Sequence, residues 1–148
     1  MENLKSVEIL LIEDNPGDAR LTQEALKDGK VRNILHIVYD GEEATDFLFK
    51  RNQYKNASRP DLIILDLNLP KKNGQEVLAE IKADDNLRSI PVIILTISKQ
   101  EQDIVRSYNL HANCFIIKPI DLNQFFEVIK SIEDFWLTLV KLPNHEQI

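Results

Sequence analysis

Five side chains in this chain could jointly handle a phosphoryl group. Glu13 and Asp14 stand side by side after one apolar run, and Asp66 closes a second, Leu62–Leu65. Thr96 ends a third such run, and Lys118 follows a fourth, Cys114–Ile117. Three carboxylates gathered in one pocket repel each other, so one must take a proton or a cation must join them. Hard oxygen ligands suit Mg²⁺, which keeps several waters and leaves room for a phosphoryl oxygen. Phosphoryl transfer asks for an in-line nucleophile, neutralisation by metal and lysine, and donors for the equatorial oxygens. A carboxylate can be that nucleophile and form an acyl phosphate. Asp66, a bound Mg²⁺, Lys118 and Thr96 supply the parts. Singly, each residue has an ordinary use, such as capping a helix or lining a solvated turn. The argument lies in the combination, because these polar residues close four apolar runs on the same side.

The elements that must position them follow from periodicity. Short apolar runs alternate with amphipathic stretches, the pattern of a βα-repeated parallel sheet. Five runs read as strands: Val7–Glu13, Ile34–Tyr39, Leu62–Asp66, Val92–Thr96 and Cys114–Ile117. Several are near-continuous Ile, Leu and Val, as expected for strands buried on both faces. Helices are expected at about 16–29, 41–51, 74–84, 99–109 and 122–141. Pro16 suits a first helical position, and Gly29 a stop. Asp40 with Glu43, and Ser98 with Glu101, have capping-box spacing, and Asp121 can cap the last helix. Right-handed crossovers then make a doubly wound α/β three-layer sandwich the economical solution. Ligands in that fold sit beyond the carboxyl ends of the strands, where the five polar residues stand.

Bulk properties narrow the class. The 148 residues suit one domain, and 43% hydrophobic with 28% charged residues is ordinary for a globular chain. No apolar run is long enough to span a bilayer, and the amino terminus lacks a signal-peptide pattern, so no membrane association and a cytoplasmic location are expected. A net charge of -6 argues against nucleic acid. The single cysteine, Cys114, rules out an intramolecular disulfide and reads as a buried small hydrophobe. His36, His111 and His145 lack ligand spacing and read as surface or turn residues.

Four segments together are specific: Ile12-Glu13-Asp14-Asn15, Asp66-Leu67-Asn68-Leu69-Pro70 with Gly74, Leu95-Thr96, and Lys118-Pro119. Over roughly residues 6–135 they resemble the receiver domains of two-component response regulators, the CheY-like superfamily. The resemblance implies a flavodoxin-like five-stranded parallel sheet of order 2-1-3-4-5. It makes Asp66 the phospho-acceptor, with Asp14 and Asp66 binding Mg²⁺ (or Mn²⁺) directly. Glu13 then acts through water, and Asn68 contributes its backbone carbonyl. Lys118 pairs with the phosphoryl oxygens, and a cis Lys118–Pro119 bond is expected. Thr96 and Phe115 take the positions of a switch in which the threonine moves to the phosphoryl group and the aromatic turns inward. Asn68, Ile97 and Ser98 occupy positions that tune hydrolysis. Ile97 departs from the family, which usually has a small residue there, and its bulk is expected to hinder access to the pocket.

About thirty residues follow the last motif, so the whole chain, 1–148, is read as one receiver domain with an extended helix and tail from about 122. Output is then a contact made by the receiver itself. The last helix is apolar beyond one stripe, and Val128, Phe135, Trp136 and Leu142 are interface candidates. A homodimer through the fourth helix, fifth strand and fifth helix is expected. Asp134–Leu137, Leu142-Pro143 and Asp14-Asn15-Pro16-Gly17-Asp18 are similar to the response regulators of cyanobacterial phytochromes (Rcp type), which implies a phytochrome as the sensor histidine kinase. On this reading the chain is no enzyme beyond its own phosphorylation and dephosphorylation. The alternatives are a chemotaxis-like monomer that docks on another protein, a binding module independent of phosphorylation, and an Asp-nucleophile phosphatase of the haloacid-dehalogenase type. Against the last, the acidic pair lies upstream of Asp66 and no cap insertion is evident.

Overall fold

The structure, a computed structural model, describes residues 6–27, 32–97, 100, 114–118, 121, 123–125, 127, 128, 130 and 131. Five strands are present: β1 (Val7–Ile12), β2 (Asn33–Val38), β3 (Leu62–Asp66), β4 (Val92–Thr96) and β5 (Cys114–Ile117). All pair in parallel, in the order β2-β1-β3-β4-β5. Among the described residues, helices α1 (Pro16–Lys27), α2 (Gly41–Leu48) and α3 (Gly74–Ala83) lie between them. Described residues between 123 and 131 are helical as well, capped by the Asp121 carboxylate, which accepts from the Asn123 and Gln124 N–H groups. Of the fourth predicted helix only Gln100 is described, and it is helical; the rest of that helix, Gly29, Ser98, Pro119, Phe135, Trp136 and Leu142 lie outside the described residues. Among the described residues no helix is long and apolar enough to cross a membrane.

Alternation along the strands sorts the core into two layers. Leu10, Ile12, Ile63, Leu65 and Ile94 face α2 and α3, and pack with Phe47, Val77, Leu78 and Ile81. Their neighbours Ile9, Leu11, Ile64, Ile93 and Leu95 face α1, with Ala25, Leu26 and Phe125. β3 and β4 are buried at every position, which is why their sequences show no polar alternation. Each fully buried Ile or Leu contributes on the order of 1.5–3 kcal/mol. Val128 packs half-buried against the α1-side layer, so this interface candidate already covers core.

The helix starts follow local chemistry. Asp40 accepts from the Glu43 N–H at 2.8 Å, as its spacing predicts. The return bond differs: the Glu43 carboxylate takes the Tyr39 N–H, so the reciprocal box is displaced by one residue. α3 has a complete capping box, Asn73 with Glu76, which the reading of the sequence above did not single out. α2 ends at Leu48 rather than near 51, because Lys50 and Asn52 adopt left-handed backbone (φ 58 and 54) and turn the chain into a short 3-10 segment. β2 also shifts by one residue from the expected span. His36 lies at the surface of this edge strand rather than in a turn, its side chain 35% exposed and its Nε2 2.8 Å from Glu8 Oε1.

Gly74 locks α3 to the end of β3. A Cβ there would stand 2.5 Å from the Asp66 carbonyl oxygen and 2.5 Å from Leu67 Cα. Alanine improves helix propensity by up to about 1 kcal/mol, but backbone overlap of this kind costs more. Gly74→Ala is expected to lower stability by about 1–3 kcal/mol, seen as a melting temperature roughly 3–10 °C lower. An unchanged melting temperature would remove Gly74 from the positioning of Asp66.

Candidate functional site

Three loops bring the chemistry to the carboxyl edge of the sheet. β1 delivers Glu13, whose N–H still bonds the Val38 carbonyl at 3.0 Å, and the chain then turns into α1. β3 delivers Asp66 at the centre of the sheet, and the Asn68 N–H donates to Asp66 Oδ1 at 2.8 Å. β5 delivers Lys118, whose N–H bonds the Thr96 carbonyl at 2.7 Å and so ties the ends of β4 and β5. Glu13, Asp66 and Thr96 are buried, while Asp14 is exposed at the mouth. One carboxylate oxygen from each of Glu13, Asp14 and Asp66 lies within 4.8 Å of the others.

The repulsion expected among these carboxylates is relieved in two ways. Lys118 reaches into the cluster, donating to Asp66 Oδ2 at 3.0 Å and to Glu13 Oε2 at 3.1 Å. Burial alone would depress its pKa, but bonds to Asp18, Asp66 and Glu13 outweigh that and hold the ammonium above the usual lysine value. Glu13 moves the other way. Burial, with Asp66 beside it, pushes its carboxyl up from 4.5 to about 8 despite the nearby ammonium. Glu13 Oε1 lies 3.0 Å from Lys118 Nζ, yet off the angle of a hydrogen bond, and this buried oxygen has no hydrogen-bond partner. A buried carboxylate oxygen left without a hydrogen bond among convergent carboxylates fits a nearby divalent cation whose bound water would donate to it.

Asp18 is a member of the site that the reading of the sequence did not select for chemistry. From the first turn of α1 its Oδ2 meets Lys118 Nζ at 2.8 Å. The available signal was an acidic residue three positions after Asn15, in a helix that starts at a strand end. Asn15 Oδ1 accepts the Asp18 N–H at 3.0 Å, so the same spacing that starts the helix aims the carboxylate.

Thr96 and Phe115 share a sheet face. Phe115 pairs in register with Ile94, and Thr96 lies two residues beyond Ile94 on β4. Phe115 is half-buried against the α2–α3 layer. Ile97 is 59% exposed beside the pocket. The Lys118–Pro119 bond and Ser98 fall outside the described residues.

Known proteins carry the same framework. The response regulator receiver domain profile matches residues 9–130. The response regulator Rcp1 of Synechocystis sp. is 50% identical over 135 residues, which span 91% of this chain and 92% of Rcp1. The phosphorylated cyanobacterial phytochrome response regulator RcpA superposes with a TM-score of 0.79 at 52% identity, covering 94% of this chain and 99% of RcpA. The Mn²⁺-bound form of Rcp1 superposes with a TM-score of 0.77 at 49% identity, over 88% of this chain and 94% of that one.

Proposed function

The chain belongs to the response regulator receiver domain family, and on that premise we propose that it is a single-domain response regulator, 1–148, phosphorylated on Asp66. The observation that carries the reading is Asp66 at the end of the central strand, with the Lys118 ammonium 3.0 Å from Oδ2 and the Glu13 and Asp14 carboxylates alongside. Asp66 attacks phosphorus through a carboxylate oxygen. The new bond is an acyl phosphate O–P bond, and the bond broken is P–N to a kinase histidine, or P–O in a small acyl phosphate donor. The donor departs with the electron pair. Lys118 stays paired with the charge on the phosphoryl oxygens, and Thr96 donates its hydroxyl to one of them. Asp14, Asp66 and the Asn68 carbonyl would hold Mg²⁺ or Mn²⁺, with Glu13 acting through water, and the ion would supply the remaining neutralisation. Readout runs through Thr96 and Phe115 as a shift between two packings.

The likeness to RcpA points to a phytochrome as the sensor histidine kinase that donates the phosphoryl group. Output is a protein contact made by a cytoplasmic domain that turns over no other substrate. A homodimer built on β5, where Ile117 is 43% exposed, and the flanking helices is the favoured form. Mass in solution with beryllofluoride and Mg²⁺ should be that of a dimer, and a monomer would favour the chemotaxis-like alternative.

The deciding test is intact mass after incubation with Mg²⁺ and acetyl phosphate. A gain of one phosphoryl mass, lost when a chelator is present, is expected. No gain would defeat the acceptor reading. Ile97 adds a kinetic prediction. Opening the mouth with Ile97→Ala should shorten the acyl phosphate lifetime by a factor of about three to ten, followed by mass after donor removal. An unchanged lifetime would remove Ile97 from control of hydrolysis.

A further inference from the structure

We propose that Asp18 is a positioning residue for Lys118, drawing its ammonium toward the mouth of the pocket and so setting how metal and phosphoryl group share the site. The inference rests on the acceptor reading above. Lys118 Nζ has three hydrogens and three carboxylates around it. Asp18 Oδ2 at 2.8 Å is nearer than Asp66 Oδ2 at 3.0 Å or Glu13 Oε2 at 3.1 Å. Asp18 also differs in place. Its side chain is 24% exposed, against 0% for Glu13 and 2% for Asp66, and it comes from a helix rather than a strand end. Two backbone bonds hold it there. Its N–H donates to Asn15 Oδ1, and its carbonyl accepts from the hydroxyl of buried Thr22 at 3.0 Å.

Opposite consequences follow for the two ligands. A divalent cation entering among Glu13, Asp14 and Asp66 must displace the ammonium from two of them. Asp18 offers that ammonium another partner, so it assists metal entry. A phosphoryl group on Asp66 needs the same ammonium for its own oxygens. Asp18 then competes for Lys118 and repels the phosphoryl charge, so it weakens the phosphorylated state.

Asp18→Asn should therefore move two affinities in opposite directions. By calorimetric titration, Mg²⁺ binding without phosphodonor should weaken on the order of threefold. Beryllofluoride binding at saturating Mg²⁺, titrated the same way, should tighten by a similar factor. A variant that merely disturbs the fold weakens both. Asp18→Glu, which keeps the charge, should return both affinities toward wild type. Both affinities unchanged, or both weakened, in Asp18→Asn would overturn the proposal while wild type still binds beryllofluoride. Wild type that binds no beryllofluoride, and so matches Asp66→Asn, would overturn the acceptor reading and this inference with it.

Discussion

Asp66→Asn is expected to abolish uptake of a phosphoryl group, with a rate at least 10³-fold below wild type under acetyl phosphate and Mg²⁺. The amide is nearly isosteric and can still accept the Asn68 N–H bond that holds Oδ1, so the pocket keeps its shape. What disappears is the anionic nucleophile. Glu13 cannot replace it, because its carboxyl is buried and its basicity is already raised toward a proton. Asp14 is exposed at the rim of the pocket, not buried at the end of the central strand as Asp66 is. The variant should fold at least as well as wild type without metal, since the cluster around the single Lys118 ammonium then carries one mutually repelling negative charge fewer. Thermal melting thus separates a chemical loss from a folding loss. Phosphorylation of the variant at a rate near that of wild type would sink Asp66 as acceptor.

Lys118→Met should produce the second largest effect, and on stability as well as chemistry. It leaves Glu13, Asp66 and Asp18 gathered with no countercharge, and the first two are almost wholly buried. Removing one partner of a buried ion pair typically costs about 3–5 kcal/mol, so with Asp18 partly solvated a loss of about 2–4 kcal/mol is expected in chelator. That corresponds to a melting temperature roughly 5–15 °C lower. The loss has a defined pH dependence. Glu13 binds its proton more tightly folded than unfolded, so its contribution is fully present below 4.5 and is lost as pH rises through about 8. Without Lys118 the folded value climbs further, and the metal-free variant should fall further behind wild type at pH 8 than at pH 5. Mg²⁺ should narrow the gap, and should bind the variant more tightly because no ammonium must be displaced. Phosphoryl uptake should nonetheless slow by about 10²-fold, since the metal does not replace the lysine's hydrogen bonds to the phosphoryl oxygens. Equal melting curves for variant and wild type in chelator at pH 8 would contradict the bridging role.

Most of the sheet was legible because its strands are unbroken apolar runs, which for β3 and β4 reflects burial on both faces. Leu62–Asp66, Val92–Thr96 and Cys114–Ile117 match the expected spans, and each is closed by or followed by a site residue. Element ends were harder where no glycine or proline marks them. Nothing in Phe49-Lys50-Arg51-Asn52 announces left-handed backbone, so α2 was expected to run on by three residues. The site was legible where polar residues interrupt strands. Asp18 escaped notice because a charged residue in a first helical turn has an ordinary explanation in the helix dipole. Its nearness to Lys118, a hundred residues away in sequence, exists only once β5 lies at the sheet edge beyond β4. Val128 shows a second use that the sequence hid. An apolar line beyond the main stripe marked it as an interface candidate, and the half-buried residue also helps seal the α1-side core.

The central position of β3 has a consequence for how the protein breathes. With β1 on one side and β4 on the other, the amides of Ile63 to Asp66 are ladder-bonded and fully buried. Their hydrogens exchange with solvent only through openings near the global unfolding free energy, whereas those of the edge strands and the loops around the mouth exchange through small local openings. An acyl phosphate on Asp66 would therefore be written on a segment expected to exchange slowly among the described residues, so the carrier strand would stay still while the change is read at the more open rim.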